Sequence, residues 1–172
     1  MTRTELGAGE FNPYYGQYID QVSANLELVD ALKQSKTTTL QFFKTLPKDK
    51  ATYRYQEGKW TPKEVIQHLV DTERVFSYRA LRFTRNDKSE LMGFEQDDFV
   101  LNSGANDRSL KDLLKEYKTV RNATIALYKS ASVKTLSQVG VASGSPLSAR
   151  AAGFITAGHD LHHIQLIKER YL

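Results

Sequence analysis

The sequence predicts an all-α protein, a four-helix bundle with long connections and an irregular N-terminal arm. Four segments of about 22 to 26 residues carry apolar residues at helical spacing. Start and stop signals bound most of these segments, and no stretch alternates long enough to predict a sheet of more than two strands. A length of 172 residues fits one domain, which we expect to span residues 1–172.

The N-terminal arm is predicted over residues 1–24, where Phe11 to Gly16 form a turn-rich aromatic stretch. Its aromatic side chains are expected to pack on the body, because disordered segments seldom carry so many of them. The first long helix is predicted over residues 25–46 from its broad apolar face, and Pro47 ends it.

The second helix has the clearest start signal, since Thr61, Pro62 and Glu64 form a capping box with proline in the first turn. We expect it to cover residues 62–85. When these residues are placed around a helix at about 100° per residue, a mostly apolar set falls on one side. That side should face the core, and its members are Val65, His68, Thr72, Val75, Phe76, Arg79 and Phe83.

A long connection over residues 86–107 is predicted to act as a lid or a crossover, as long loops often do. The third helix should begin after the cap Ser109 and continue to about residue 130. The sequence of residues 136–146 predicts a short hairpin or an extended loop. The fourth helix is predicted over residues 146–171, with Ser145 or Ser148 as its cap.

The composition excludes several classes of function. The chain has no cysteine, so neither disulfides nor thiolate ligands are available. The net charge of +4 is spread among interleaved acids and bases, so we expect no nucleic-acid partner. Apolar runs are too short for a membrane span, and the N-terminus shows no apolar signal core. The sequence therefore predicts a soluble cytoplasmic protein without a membrane partner.

The histidines give the strongest functional signal, because three of the four fall within five residues of the last helix. His159 and His163 are one turn apart in the core-facing sector, whereas His162 lies at its shoulder. Buried neutral imidazoles need partners, and hydrogen-bonded core histidines would be the simplest explanation for any one of them. Together with core-facing His68, the pair predicts a metal site of His68, His159 and His163.

The same stretch also approximates the His-Glu-x-x-His helix of zinc proteases, with Asp160 in the place of the catalytic glutamate. Aspartate is shorter by one methylene, which disfavours a protease. Winding the helices places Asp160 and Glu73 outside the ligand sectors. We expect Asp160 to be solvated or to cap a neighbouring helix.

The chain resembles the DinB/YfiT-like metalloenzyme superfamily. The resemblance rests on residues 60–73, on Arg79, on Gly93-Phe94 and on residues 158–165, and it extends from about residue 16 to the C-terminus. It implies a four-helix bundle of DinB/YfiT type and a divalent metal ion on the same three histidines. His162 matches a frequent companion that is not a ligand. Some members of the family are thiol S-transferases or isomerases that use a low-molecular-weight thiol.

Three histidines leave coordination positions open, as in catalytic metal sites. The sequence thus favours a metal-dependent enzyme acting on a small molecule by thiol S-transfer or by hydrolysis, with a low-molecular-weight thiol as cosubstrate in the first case. Zinc or nickel is the expected ion, with manganese or iron as alternatives. The alternative function is a metal-binding or protein-interaction bundle without catalysis.

Two residues are predicted to support the metal site from outside the ligand set, Arg79 and Asp71. A core-facing arginine needs a carboxylate or an anionic ligand, and we expect Arg79 to pair with a buried acid or to reach solvent. Tyr15, Tyr18 and Tyr117 could reach the pocket as hydrogen-bond donors, but we expect each of them to pack in the core or on the surface.

The last helix also carries apolar residues opposite the histidines, namely Phe154, Leu161 and Ile164. A helix that is apolar on both sides lies centrally or in an interface, so the sequence predicts a homodimer through this helix.

Overall fold

The computed structural model describes residues 1–172 and confirms the predicted all-α bundle. The elements in chain order are α1 Gly16–Ile19, α2 Leu28–Thr45, α3 Pro62–Thr84, α4 Gln96–Leu101, α5 Leu110–Ser130, α6 Val133–Leu136, β1 Val139–Ala142, β2 Ser145–Ser148 and α7 Ala149–Arg170. The long helices α2, α3, α5 and α7 form the bundle. None of the helices combines the length and the apolar character that a membrane span needs.

The start of α3 follows the predicted capping box. The Thr61 hydroxyl accepts a hydrogen bond from the Glu64 amide at 3.2 Å, and the Glu64 carboxylate accepts one from the Thr61 amide at 2.7 Å. Arg54 and Asn106 also donate to that carboxylate, at 2.8 Å each. The cap therefore fixes the end of α3 that carries His68, and it ties two loops to that end.

Two predicted boundaries were wrong by about a turn, each for a local reason. α2 begins at Leu28 instead of residue 25, and the Leu28 amide donates to the Met1 carbonyl of the arm. α7 begins at Ala149 instead of residue 146. Of the two predicted caps, Ser148 is the one confirmed, since its hydroxyl accepts from the Ala151 amide at 3.0 Å. Residues 145–148, which the sequence assigned largely to this helix, form β2 instead.

Of the two predicted alternatives, a hairpin or an extended loop, the hairpin is present. Its turn uses Ser143 and Gly144, both with positive φ (53° and 70°). This is the backbone shape of a tight two-residue hairpin turn. Leu91 exchanges backbone hydrogen bonds with Val141 and Ser143, so the long 86–107 connection is attached to the hairpin. Inside that connection the structure contains α4, which the sequence analysis did not predict.

The interior is divided into two apolar clusters with a polar layer between them. One cluster joins the first half of α2 to the first half of α7 and the ends of α3 and α5. The other joins the opposite halves of the same four helices. The buried polar residues between them include Ser35, Thr39, His68, Thr72, Glu73, Arg121, His159 and Asp160. The candidate metal ligands thus lie at mid-bundle.

Arg121 of α5 is fully buried in this layer and contacts the other three long helices. Its Nε donates to Glu73 of α3 at 2.7 Å, and its Nη2 lies 2.9 Å from the carboxylate of Asp160 on α7. Its Nη1 donates to the Leu32 carbonyl at 3.2 Å and to the Ser35 hydroxyl at 2.6 Å, both on α2. One side chain therefore joins the whole bundle.

The expectation that Asp160 is solvated or caps a helix was wrong. The residue is 2% exposed, pairs with Arg121, and accepts hydrogen bonds from the hydroxyls of Tyr117 at 2.5 Å and Thr39 at 3.4 Å. The physical reason is that α7 is enclosed by α1, α2 and α3. A residue outside the ligand sector of such a helix still faces protein.

The same enclosure removes the reason for expecting a homodimer through α7. Phe154 and Ile164 are buried within the chain, and Leu161 is half-buried. The apolar side opposite the histidines is therefore covered by the protein's own helices. The homodimer stays a prediction, but α7 offers no exposed apolar face that could form its interface.

At Gly158 the backbone of the arm comes close to α7, because a Cβ there would lie 1.8 Å from the Tyr18 carbonyl oxygen. We expect Gly158→Ala to lower the free energy of unfolding by about 1–3 kcal/mol, since the backbone of the arm must move. Urea denaturation measures the change. Gly16→Ala is the matched control, because open space surrounds that position, and it should be neutral or slightly stabilising. Equal stability of the two variants would contradict the close approach.

Removing the Arg121 charge should lower the free energy of unfolding much more than removing an exposed charge. Arg121→Met leaves the carboxylates of Glu73 and Asp160 buried without their cation, so we expect a loss of about 3–5 kcal/mol in urea denaturation. Arg74→Met, which breaks a half-exposed pair with Asp71 and Glu116, should cost no more than about 1 kcal/mol. Similar losses for both variants would show that the buried network is not what holds the helices together.

Candidate metal centre

The three predicted ligands converge at mid-bundle. His68 lies on α3, and His159 and His163 lie one turn apart on α7. The Nε2 atom of His159 is 3.1 Å from Nε2 of His68 and 3.0 Å from Nε2 of His163. Their donor atoms form the one cluster of three or more candidate ligands in the chain. The sequence prediction therefore selected residues that the fold brings together.

Burial keeps these imidazoles neutral. It lowers the pKa of His68 to about 4 and holds the pKa values of His159 and His163 well below their usual range. The neighbouring imidazoles and, for His159, the Arg121 charge lower the pKa values of the two α7 histidines further. A neutral imidazole offers a lone pair, which is the form that binds a metal ion.

The geometry of the cluster fits a shared cation better than hydrogen bonding alone. His159 Nε2 faces two other Nε2 atoms, yet it has one proton or one lone pair to offer. Metal–nitrogen bonds of about 2.0–2.1 Å separate ligand nitrogens by about 2.9 Å in octahedral and about 3.4 Å in tetrahedral sites. The observed separations lie within this range, so these residues suit a divalent ion.

Aromatic rings contribute more than hydrogen bonds to the surroundings of the imidazoles. Trp60 lies 4.6 Å from His68 between ring centroids, and Tyr18 meets His159 edge-on at 5.0 Å. The Thr72 hydroxyl is 3.4 Å from Nδ1 of His68, and the buried Nδ1 of His163 has no hydrogen-bond partner. The rings are thus oriented mainly by packing, without the carboxylates that commonly support metal-bound histidines.

Three other residues considered from the sequence lie outside the cluster. The Asp71 carboxylate accepts from Gln67 at 3.0 Å and pairs with Arg74 at 3.3 Å, so the structure does not bring it to the imidazoles. His162 is half-buried against Tyr18, as expected for a histidine that is not a ligand. Glu73 is committed to Arg121.

The prediction for Arg79 was wrong in both of its forms. The side chain neither reaches solvent nor meets a buried acid, since the residue is 2% exposed and makes no ion pair. Its Nη2 donates to the Met92 carbonyl at 3.1 Å and to the Ser143 hydroxyl at 2.8 Å. The loop and the hairpin therefore hold this guanidinium.

Two cavities meet the cluster from different sides. The larger, of about 620 Å³, is lined by His163 together with Trp60 and residues of α4. The smaller, of about 280 Å³, is lined by His68, His159 and Arg79, and also by Tyr15 and Tyr18 of the arm. Tyr15 and Tyr18 thus line a cavity, which is the alternative to packing in the core or on the surface, whereas Tyr117 is buried as expected. His163 thus borders one cavity, and His68 and His159 border the other.

Sequence reasoning missed Arg121 and Ser143, and only the first had a detectable signal. Arg121 stands four residues after Tyr117 and four before Ile125, in the middle of the apolar stripe of α5. A charged residue at such a position indicates a buried ion pair. Ser143 reaches Arg79 through a hairpin turn, and no sequence spacing predicts that contact.

Comparison with solved structures supports the fold. The chain is similar to YfiT from Bacillus subtilis, described as a probable metal-dependent hydrolase with an unusual four-helix bundle topology. The TM-score is 0.72 at 14% identity, covering 94% of this chain and 92% of that one. It is also similar to a mycothiol-dependent maleylpyruvate isomerase, with a TM-score of 0.67 at 9% identity, covering 96% of this chain and 62% of that one.

Comparison of sequences identifies the family. No curated protein matches the chain. The sequence pattern of the DinB superfamily matches residues 31–167, which include all four long helices except the ends of α2 and α7, and all three clustered histidines. A match over most of its length shows that the chain belongs to the DinB superfamily.

Proposed function

We propose that the chain is a metal-dependent enzyme that transfers the sulfur of a low-molecular-weight thiol to a small electrophilic molecule. The observation that carries the proposal is the convergence of three neutral imidazoles between two cavities. His68, His159 and His163 would hold a divalent ion, zinc or nickel first and manganese or iron as alternatives. When bound, the ion would act as a Lewis acid that makes a thiol more acidic.

The protein's own residues would bind and separate the two reactants. The larger cavity carries Arg54, Lys59, Asp97 and Asp98 at its walls, which suits a polar thiol cosubstrate. The smaller cavity, with its tyrosine wall, suits a compact electrophile. In the transfer the sulfur forms a bond to the electrophilic carbon, the leaving group departs with the electron pair, and the thiol proton passes to solvent.

Space for two organic molecules favours transfer over hydrolysis, in which one reactant is only water. The mycothiol dependence of one structural neighbour is in line with a thiol cosubstrate. Reduced thiols are abundant in the cytoplasm, so this function also agrees with the cytoplasmic location expected from the sequence.

Hydrolysis is the second candidate, and one observation favours it. Three protein ligands leave a position open for water in catalytic metal sites. The description of YfiT as a probable metal-dependent hydrolase points the same way. A metal-binding or protein-interaction bundle without catalysis would show neither activity.

The first test is metal content. Protein purified without a histidine tag should carry about one divalent ion per chain, measured by elemental analysis. His163→Ala should lose the ion, because it removes a ligand. His162→Ala is the matched control one position away, and it should retain the ion, with circular dichroism confirming that both variants are folded. Stoichiometric metal in His163→Ala, or equal loss in His162→Ala, would contradict the ligand assignment.

The second test separates transfer from hydrolysis. A panel of low-molecular-weight thiols with a chromogenic aryl halide is run beside ester and amide substrates. We expect thiol-dependent turnover in the wild-type protein. It should fall at least about 100-fold in His163→Ala and after chelation, because both remove the catalytic metal ion. His162→Ala should keep most of the activity. Ester or amide cleavage without thiol transfer would support the second candidate.

A further inference from the structure

Arg79 is a buried cation without an acidic partner. The residue is 2% exposed, and its two hydrogen bonds go to a carbonyl and a hydroxyl, both uncharged. Arg121, the other arginine buried to this degree, pairs with two carboxylates. Because burial of a charge is costly unless it is compensated, Arg79 is the one interior charge whose counter-ion the chain does not supply.

The guanidinium still has donors to offer. A guanidinium carries five N–H groups, and the two hydrogen bonds of Arg79 both come from Nη2. Its Nε and Nη1 groups have no carboxylate partner. Burial lowers the pKa of this guanidinium and the neighbouring Tyr15 side chain raises it, so an uncharged phenol is the protein group beside these donors. Glu95 is the one acidic residue that lines the same cavity, and it is exposed and makes no ion pair with Arg79. An anion entering the cavity would compete for these donors only with an uncharged hydroxyl.

The position of the guanidinium is fixed before any ligand arrives. Ser143 adopts a left-handed backbone (φ 53°), which few residues other than glycine adopt readily, and this places its hydroxyl 2.8 Å from Nη2. The Phe76 ring lies 5.1 Å from the guanidinium carbon. A charge held by a strained turn, a loop carbonyl and an aromatic face is preorganised for a ligand.

The cavity relates this charge to the candidate metal centre. Arg79 follows His68 by eleven residues on α3, and its side chain extends back towards the start of the helix, as helical side chains do. Both residues and His159 line the same space of about 280 Å³. That volume is below the usual range of about 300–1,000 Å³ for drug-sized ligands, so the occupant must be small.

We propose that Arg79 is the anion-binding residue of the smaller cavity, and that the substrate bound there is a small carboxylate whose reactive end faces His68 and His159. The assignment of the reactive end rests on the proposed function. The anion site itself depends only on Arg79 and its surroundings. A carboxylate supplies the missing counter-ion and accepts charge-assisted hydrogen bonds from the guanidinium.

Ligand-observed NMR titration of the purified protein tests the site with butanoate, with its uncharged isostere butanamide and with inorganic phosphate. We expect butanoate to bind at least tenfold more tightly than butanamide. Arg79→Gln should abolish this preference, and Arg79→Lys should keep part of it. Arg85→Gln is the matched control, because it removes an exposed charge without an ion pair from the end of the same helix.

Several outcomes would overturn the proposal. Butanoate and butanamide binding equally to the wild-type protein would do so without recourse to any variant. So would tight butanoate binding by folded Arg79→Gln, or a preference for phosphate over butanoate. Butanoate binding that is lost in His163→Ala but kept in Arg79→Gln would assign the anion to the metal ion instead. A preference for butanoate over butanamide that persists in metal-free His163→Ala supports the anion site at Arg79. This result would stand even if the protein catalyses neither thiol transfer nor hydrolysis.

Discussion

The ion-pair layer centred on Arg121 is the constraint on which the arrangement of the helices depends. Its guanidinium reaches Glu73, Asp160 and the α2 backbone, so the relative positions of all four long helices are set at one level. Burying these charges costs desolvation free energy, which is offset only when the ion pairs keep good geometry. The side chains of the network can therefore shift very little. Asp160 directly follows His159, and Glu73 lies little more than one turn after His68. The residues that fix the helices thus also fix the height of the imidazoles in the bundle.

The same charge also acts on the chemistry of the cluster. Arg121 is one of the groups that lower the pKa of His159, after burial and the neighbouring imidazoles. A structural cation near a candidate metal site disfavours protonation of the ligands, and this favours the neutral donors that a metal ion needs. The chain therefore uses one residue to order the helices and to bias the protonation of a ligand.

The sequence allowed the bundle, the capping box of α3 and the three clustered histidines to be predicted, because each depends on local spacing along one helix. His159 and His163 are neighbours on any α-helix, and His68 lay in an apolar sector that had to face inward. Asp160 was misplaced because its helix is enclosed on several sides, where a helical wheel no longer separates core from solvent. Contacts made across loops, such as Ser143 to Arg79, depend on turn geometry and have no sequence period to reveal them.

Arg79 and Arg121 are both buried arginines, but their partners indicate a ligand-binding role for Arg79 and a structural role for Arg121. Arg121 has two carboxylates, while Arg79 has only neutral acceptors. If stability alone governed these positions, an apolar residue would serve at Arg79 at least as well, since a buried charge without a counter-ion is unfavourable. This guanidinium lines the same cavity as His68 and His159, and a ligand that supplies the negative charge explains it more simply.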